Sequence, residues 1–173
     1  ARLGVGFEGL GTCEAAYRMS RDYAAERVSM GKTIDRHEMI ADYLDEMKTD
    51  VQAIRALTIT ATEYNELAQR AETHLMTKSY RNEKERKEYE SIMKRYKRKA
   101  RRLTPLLKYY GAEKAVDMSR RAMQIHGGVG YTKEYGAEKL LRDALVLPIY
   151  EGTSQIQALM ATKDELLGMT KDP

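Results

Sequence analysis

Apolar positions recur at spacings of three and four over most of the chain, the spacing that gathers side chains on one side of an α-helix. Leu3, Phe7, Leu10, Glu14, Tyr17, Arg21 and Ala24 share such a face and predict a helix from about Arg2 to Met30. Gly4, Gly6, Gly9 and Gly11 crowd its start. A glycine costs about 1 kcal/mol in a helix interior, so four together predict close backbone packing on another helix or a ligand. Gly31 is placed to end this helix. Asp35 then stands as an N-cap, with Glu38 as its capping-box partner. The second helix carries Ile40, Tyr43, Leu44, Met47, Val51, Ile54, Leu57 and Thr58 along one face and is expected to reach about Leu67.

The pattern thins from about Ala68 to Arg102, where Tyr80, Tyr89, Ile92, Met93 and Tyr96 make a narrow apolar stripe. A weaker helix or hairpin with loose ends is predicted there. Thr104-Pro105 reads as a fresh start, with Thr as N-cap and Pro at the first helical position. The helix it opens carries Leu106, Leu107, Tyr110, Ala115, Met118, Ala122 and Ile125 and is stopped by Gly127-Gly128-Val129-Gly130. A short helix follows from about Glu134 to Ala144, Pro148 breaks the chain, and a last helix runs from about Thr153 to Leu167. Long helices with short connections predict an all-α fold. The expected form is an antiparallel four-helix bundle with a charged helical insertion at about 68–102 and a short additional helix, one domain over residues 1–173.

Composition agrees with this class. The chain has 173 residues, 42% of them hydrophobic, enough for one domain with its own core. It has 3 Pro and no Trp, and few stretches alternate apolar with polar residues. Cys13 is the single cysteine, so no internal disulfide can form. No apolar run is long enough to span a membrane. Helical periodicity starts at Ala1-Arg2-Leu3 with no initiator Met, which predicts a fragment of a longer protein. His74 and His126 stand without metal-ligand spacing, so no metal is assigned.

The net charge of +4 is uneven: eleven Lys/Arg and four Glu between Arg81 and Arg102 make that stretch +7 and leave the rest at −3. It reads as a contact for an anionic surface or nucleic acid, as a solvated helix laced by pairs such as Glu83–Lys87 and Glu90–Lys94, or as a contact for ligand phosphates or another subunit. The solvated helix is favoured, because only the edge from Lys94 to Arg102 is purely basic.

Two segments could carry chemistry. Gln124-Ile125-His126-Gly127-Gly128-Val129-Gly130-Tyr131 is either a phosphate-cradling loop or a helix cap and turn. A helix precedes it where a dinucleotide fingerprint needs a strand, so a Rossmann site is excluded. In Tyr150-Glu151-Gly152-Thr153-Ser154-Gln155-Ile156-Gln157, Thr153 can cap a helix whose first turn offers free N–H groups. Glu151 lies just outside it, after the apolar run Leu145-Val146-Leu147-Pro148-Ile149, which would desolvate the carboxylate and raise its basicity. On spacing alone, the favoured reading of Glu151 is a glutamate that merely suits the helix dipole.

Together these stretches carry a family resemblance. The GGxGY turn, Glu138-Lys139-Leu140-Leu141-Arg142-Asp143 and Ile149-Tyr150-Glu151-Gly152-Thr153-Ser154-Gln155-Ile156-Gln157 resemble, in order and spacing, the C-terminal helical domain of FAD-dependent acyl-CoA dehydrogenases. Glu26-Arg27-Val28-Ser29-Met30-Gly31-Lys32 is similar to the family's Glu-Arg-x-x-Phe-Gly-Lys/Arg. The resemblance covers about 1–60 and 103–167. It implies a homo-oligomer (dimer or tetramer) of three-domain subunits, of which only the C-terminal bundle is present. It further implies α,β-dehydrogenation of an acyl-CoA, with Glu151 as the base that removes the α-proton and FAD as hydride acceptor. The substrate carbonyl would accept from the Glu151 backbone N–H and a flavin ribityl hydroxyl.

By the same match Gly152, Thr153 and Gln155 contact the flavin of their own subunit. Arg27 and Ser29 contact the FAD pyrophosphate of a neighbouring subunit, with His37 beside them, and Gln124, Gly127 and Gly128 cradle its adenosine part. Arg2 lies near substrate and CoA, and electron-transferring flavoprotein is the implied electron acceptor. The implied location is the cytoplasm of a bacterium or a mitochondrial matrix. A helical interaction module of this fold, non-catalytic or DNA-associated through residues 81–102, is the alternative. Departures are Met30 for the family's Phe, His37-Glu38 for His-Gln, and Ala158 where Arg is common. Ala1 excludes the family variant that places the base on the first helix.

Overall fold

The computed structural model describes residues 1–169; the last four residues of the expected domain, 170–173, lie outside them. Helix α1 spans Arg2–Glu26, α2 Glu38–Met76, α3 Glu83–His126, α4 Ala137–Ala144 and α5 Ser154–Met169. The all-α expectation holds. Helix α3 runs antiparallel to α2 (Glu72 meets Lys97, Glu46 meets Arg121) and parallel to α1 (Gly6 meets Leu107, Tyr23 meets His126), and α5 runs antiparallel to α1 (Glu8 meets Tyr150, Arg2 meets Met160), so the four alternate up and down as a bundle. The short α4 packs on α3 and α1. No helix of the described residues is long and apolar enough to cross a membrane.

The core face of α1 differs from the one its large side chains suggest. Val5, Gly6, Gly9, Cys13, Ala16, Ser20 and Ala24 are buried, whereas Phe7, Glu14 and Arg21 are not. Leu3, Leu10 and Tyr17 only flank the core. The reason is the partner helix. A Cβ at Gly6 would meet the Leu107 side chain at 2.6 Å, and one at Gly9 would meet the Gly111 carbonyl oxygen at 2.8 Å. Gly4 and Gly11 have nothing within 4 Å of a built Cβ. Two of the four glycines therefore serve the close approach of α1 to α3.

Residues 27–37 depart from the expected helix end. Val28–Ser29 (β1) pairs antiparallel with Lys32–Thr33 (β2), and Met30 (φ +50°) and Gly31 (φ +80°) make the tight turn between them. Gly31 thus closes a hairpin, and the helix stops four residues earlier than its periodicity suggests. Asp35 lies in a 3₁₀ turn, Ile34–Arg36, and the N-cap of α2 is His37, with no side-chain cap. The predicted apolar face of α2 is confirmed: Met47, Val51, Ile54 and Thr58 are buried, and Ile40, Tyr43, Leu44 and Leu57 pack beside them.

The charged stretch 68–102 forms the ends of two long helices. Helix α2 runs nine residues past Leu67, turns through residues 77–82, and returns as α3. The cap is Asn82, whose side chain accepts from Glu85 N at 3.0 Å while Glu85 Oε2 accepts from Arg81 N at 2.6 Å. Helix α3 then passes through Thr104 and Pro105 without a break. An internal proline forfeits one backbone hydrogen bond; burial of Pro105 and Leu107, and the continuous α2–α3 seam, offset that loss. The Thr104 hydroxyl bonds back to Ala100 O at 2.7 Å instead of capping a new helix. Across the seam Lys97 pairs with Glu72, and Lys99 lies 4.8 Å from the Tyr64 ring centroid. Arg86 takes both Glu83 and Glu90, in place of the expected Lys87 and Lys94 pairs.

Leu107, Ala115, Met118, Ala122 and Ile125 of α3 are buried as expected, and Leu106 is exposed. Each fully buried large apolar side chain contributes roughly 1.5–3 kcal/mol. Asp50 on α2 accepts from Tyr110 at 2.8 Å and Lys114 at 2.7 Å on α3. Burial, then the Asp50 carboxylate, pushes the Tyr110 phenol up to about 12. The Cys13 thiol is pushed up to about 12 as well, first by burial and then by Asp50.

Gly9→Ala is expected to destabilise the chain by about 1–3 kcal/mol, because backbone must move to admit the methyl. Gly11→Ala, open to solvent on the same helix, is expected to be neutral or to stabilise by up to about 1 kcal/mol. Denaturant unfolding followed by circular dichroism distinguishes the two. Cys13 is expected to resist iodoacetamide at pH 8 and to react fully only after denaturation; mass spectrometry of the alkylated protein reads the outcome.

Candidate functional site

The predicted site residues fall into two groups at opposite ends of the bundle. The first is the loop entering α5. Glu151 has φ +55°, a left-handed conformation that costs an ordinary residue roughly 1–2 kcal/mol. Gly152 follows at φ +98°, and a Cβ there would collide with the Gln157 amide. Glycine is therefore favoured at 152 by its backbone conformation, and a side chain there would also push the Gln157 amide off its bond to Glu151 O. Both carbonyls of this pair turn inward: Lys108 Nζ donates to Gly152 O at 2.7 Å, and Gln157 Nε2 to Glu151 O at 3.3 Å. Lys108 and Gln157 are each fully buried. Burial lowers the pKa of the Lys108 ammonium, against a smaller upward pull from Glu113.

The rest of the loop is tied on both sides. Ser154 N donates to Pro148 O at 2.9 Å, closing the turn before α5. The Tyr150 hydroxyl donates to the Glu8 carboxylate on α1, and burial and Glu8 together push the phenol up to about 12. Thr153 and Gln155 are exposed. The Glu151 side chain is also exposed. The run from Leu145 to Ile149 does not desolvate it: only Leu147 enters the core, while Leu145, Val146 and Ile149 lie 51–63% exposed. These residues form consecutive turns, which point their side chains in different directions.

The second group lies where α1 and α3 end. Tyr23, Arg27, Ser29, Ile34, Ile125, His126, Gly127, Gly128 and Val129 line a cleft of about 440 Å³. Arg27, Ser29, Gly127 and Gly128 thus meet, although a hundred residues separate the two pairs along the chain. His37 joins them by a 3.1 Å hydrogen bond from Nε2 to the Ser29 carbonyl. The cleft floor is aromatic: Tyr23 stacks on buried His126 at 4.3 Å, and Tyr135 meets both rings edge-on. Gln124 faces elsewhere, with Tyr43, Asp117, Arg120 and Arg121 around a separate cleft of about 320 Å³. Arg2 sits at the first end of the bundle, its Nη1 3.6 Å from Met160 Sδ on α5.

Lys108 did not stand out among the candidate residues of the sequence, although it carried a readable signal. It occupies a core-facing position of α3, four before Ala112 and seven before Ala115. A lysine on an apolar face is almost never fully buried without a dedicated partner. The partner, Gly152 O, is 44 residues away and invisible to local pattern.

Comparison with known proteins identifies the kind of domain. The family described as "Acyl-CoA dehydrogenase, C-terminal domain" matches residues 1–166, a range that includes the charged stretch. An acyl-CoA dehydrogenase of Bacillus subtilis is 34% identical over 98% of this chain and 37% of its own length. The caffeyl-CoA reductase-Etf complex subunit CarC of Acetobacterium woodii is 31% identical over 92% of this chain and 34% of its own. Among solved structures, an acyl-CoA dehydrogenase complexed with FAD from Bacillus anthracis superposes with a TM-score of 0.73 at 24% identity, over 98% of this chain and 28% of that one. The chain spans about a third of the length of the curated relatives it matches. With a four-helix bundle, a glutamate on a clamped left-handed turn and a family match over 166 of its residues, the chain belongs to the acyl-CoA dehydrogenase family, as its C-terminal domain.

Proposed function

We propose that the chain is the C-terminal domain of an FAD-dependent enzyme that dehydrogenates an acyl-CoA thioester between Cα and Cβ, with Glu151 as the base. One observation carries this reading: Glu151 stands on a strained turn that buried donors hold from below, while its carboxylate faces outward. On the elements joined at this loop, Phe7 of α1, Ile149 before the turn, and Ile156 and Leu159 of α5 are 48–63% exposed. A rim of large apolar side chains about a carboxylate is half of a pocket, and its other half belongs to further domains and ligands. Covering this rim would strip water from Glu151 and supply the desolvation that makes a carboxylate a better base. Once the α-proton is on Glu151, negative charge develops on the thioester oxygen, which a backbone N–H of the turn can stabilise.

The residues fit FAD. Bound FAD supplies the acceptor for the β-hydride. Gly152, Thr153 and Gln155 offer backbone and side-chain polar groups beside Glu151, and the open Gly127-Gly128 turn with Arg27 and Ser29 offers a guanidinium fork and close backbone approach for a pyrophosphate. These two groups cannot serve one flavin. Glu8, which ties down Tyr150, and Arg27 are separated by nearly the whole of α1, on the order of 30 Å at about 1.5 Å per residue. The ribityl-diphosphate part of a flavin is much shorter, so each chain would hold the reactive end of one FAD and the adenosine side of another. That supports a homo-oligomer. An electron-transferring flavoprotein is the proposed acceptor of the electrons; the A. woodii relative carries the Etf complex in its name.

In full-length protein, Glu151→Gln is expected to slow anaerobic flavin bleaching by acyl-CoA by roughly 100- to 10,000-fold, the contribution of a general base, with flavin content unchanged. Bleaching at the wild-type rate overturns the assignment. The isolated domain is expected to purify without stoichiometric flavin, because half of each cradle is absent; an absorption spectrum between 350 and 500 nm is the check, read at about that range for any oxidised flavin.

A further inference from the structure

We propose that Lys108 is a positioning residue for the base-bearing turn: its buried ammonium, on the carbonyl of Gly152, sets the direction in which Glu151 presents its carboxylate. The inference rests on Glu151 being the base, and its test separates the two ideas.

The argument begins with what the position would prefer. Lys108 lies between buried Leu107 and buried Gly111 and Ala112 on the core face of α3, where a leucine or methionine would pack without the cost of taking a charge out of water. A lysine there needs a reason, and its side chain has one hydrogen bond, at 2.7 Å to Gly152 O. That carbonyl belongs to the residue after Glu151. Glu151 and Gly152 both lie at positive φ, a conformation that persists only where surrounding groups over-determine it. Two fully buried side chains do so, Lys108 on the second carbonyl and Gln157 on the first. A trans peptide sets its N–H opposite its C=O. Drawing both carbonyls inward therefore turns the amides of Gly152 and Thr153 toward the open side, where the Glu151 carboxylate also lies. The ends of the clamp come from different elements: Lys108 is rigid on the central helix, and Gln157 is in the first turn of α5. Loss of the ammonium would leave Gln157 on the first peptide plane and the Tyr150–Glu8 and Ser154–Pro148 bonds on the flanks, while the second plane, between Gly152 and Thr153, would lose the donor that holds its carbonyl.

The test uses full-length holoenzyme with Lys108→Met, which keeps length and removes the donor, and Lys108→Gln, which keeps a donor and removes the charge. Rapid-mixing flavin bleaching by a saturating acyl-CoA gives the rate of the chemical step, and equilibrium titration with a non-reducible acyl-CoA thioether gives affinity. Lys108→Met is expected to lose roughly 10- to 100-fold in bleaching rate, the cost of a misplaced reacting group. Flavin content and thioether affinity should stay within about threefold, and Lys108→Gln should recover part of the loss. Wild-type bleaching by Lys108→Met overturns the proposal. So does a loss of rate that flavin content and affinity follow in step, since that marks a merely structural residue. If Lys108→Met does not fold, Gln157→Leu replaces it with the same expectations for the other half of the clamp. Glu151→Gln is run in parallel: if it is slow while Lys108→Met is not, only the clamp fails, and if it bleaches normally, the base assignment fails first.

Discussion

A Cβ at Gly9 would lie 2.8 Å from the Gly111 carbonyl oxygen. This contact between α1 and α3 is the constraint on which the other placements depend. Helices that approach so closely cannot carry large side chains in the seam, and α1 accordingly buries Gly6, Gly9, Cys13, Ala16, Ser20 and Ala24. The bulky residues of α1 are displaced to its flanks, where Leu3, Leu10 and Tyr17 edge the core and Phe7 reaches solvent. With α1 seated, α3 is held along its length, and both functional ends hang from it. Lys108 supports the Glu151 turn near one end, and His126 starts the Gly127-Gly128 turn at the other.

The two ends are built for different tasks. At the Glu151 end, buried donors secure the backbone and several large apolar side chains lie exposed, which suits the proposed role of a carboxylate that loses water when partners close over it. At the Arg27 end, a guanidinium, a hydroxyl and a glycine turn surround an open cleft over stacked aromatic rings, which suits a hydrophilic, anionic group. Helix α1 holds them on the order of 30 Å apart, so in the proposed reading a single domain carries two half-sites, each for a different flavin. The hairpin at Met30, 93% accessible, and Ile149, Ile156 and Leu159 before and along α5 are exposed apolar surface.

The long amphipathic helices, the buried stripe of α2 and the helix stop at Gly127 could all be read along the chain, because each depends on neighbours three or four residues away. So could the residues around Glu151, Arg27 and Gly127, through their resemblance to a family. The hairpin at residues 28–33 was hidden by continuing helical periodicity, and the passage of α3 through Pro105 by a strong local start signal. In both cases the winning term lies elsewhere. Strand pairing between Val28 and Thr33 outweighs helix continuation, and packing of α3 against α2 outweighs one lost backbone bond.

The sequence by itself determined the class of the fold and the family, and it nominated the residues proposed for catalysis and cofactor contact. Only the tertiary structure decided which glycines of α1 mark a helix contact, that Gln124 faces away from Arg27, and that Glu151 stands exposed on a turn clamped by Lys108. The physical reason is range. Helix periodicity and caps are set within a turn of the chain, whereas the approach of two backbones, a buried ammonium and its carbonyl, or a cleft shared by residues 27 and 128, arises only when distant segments are pressed together.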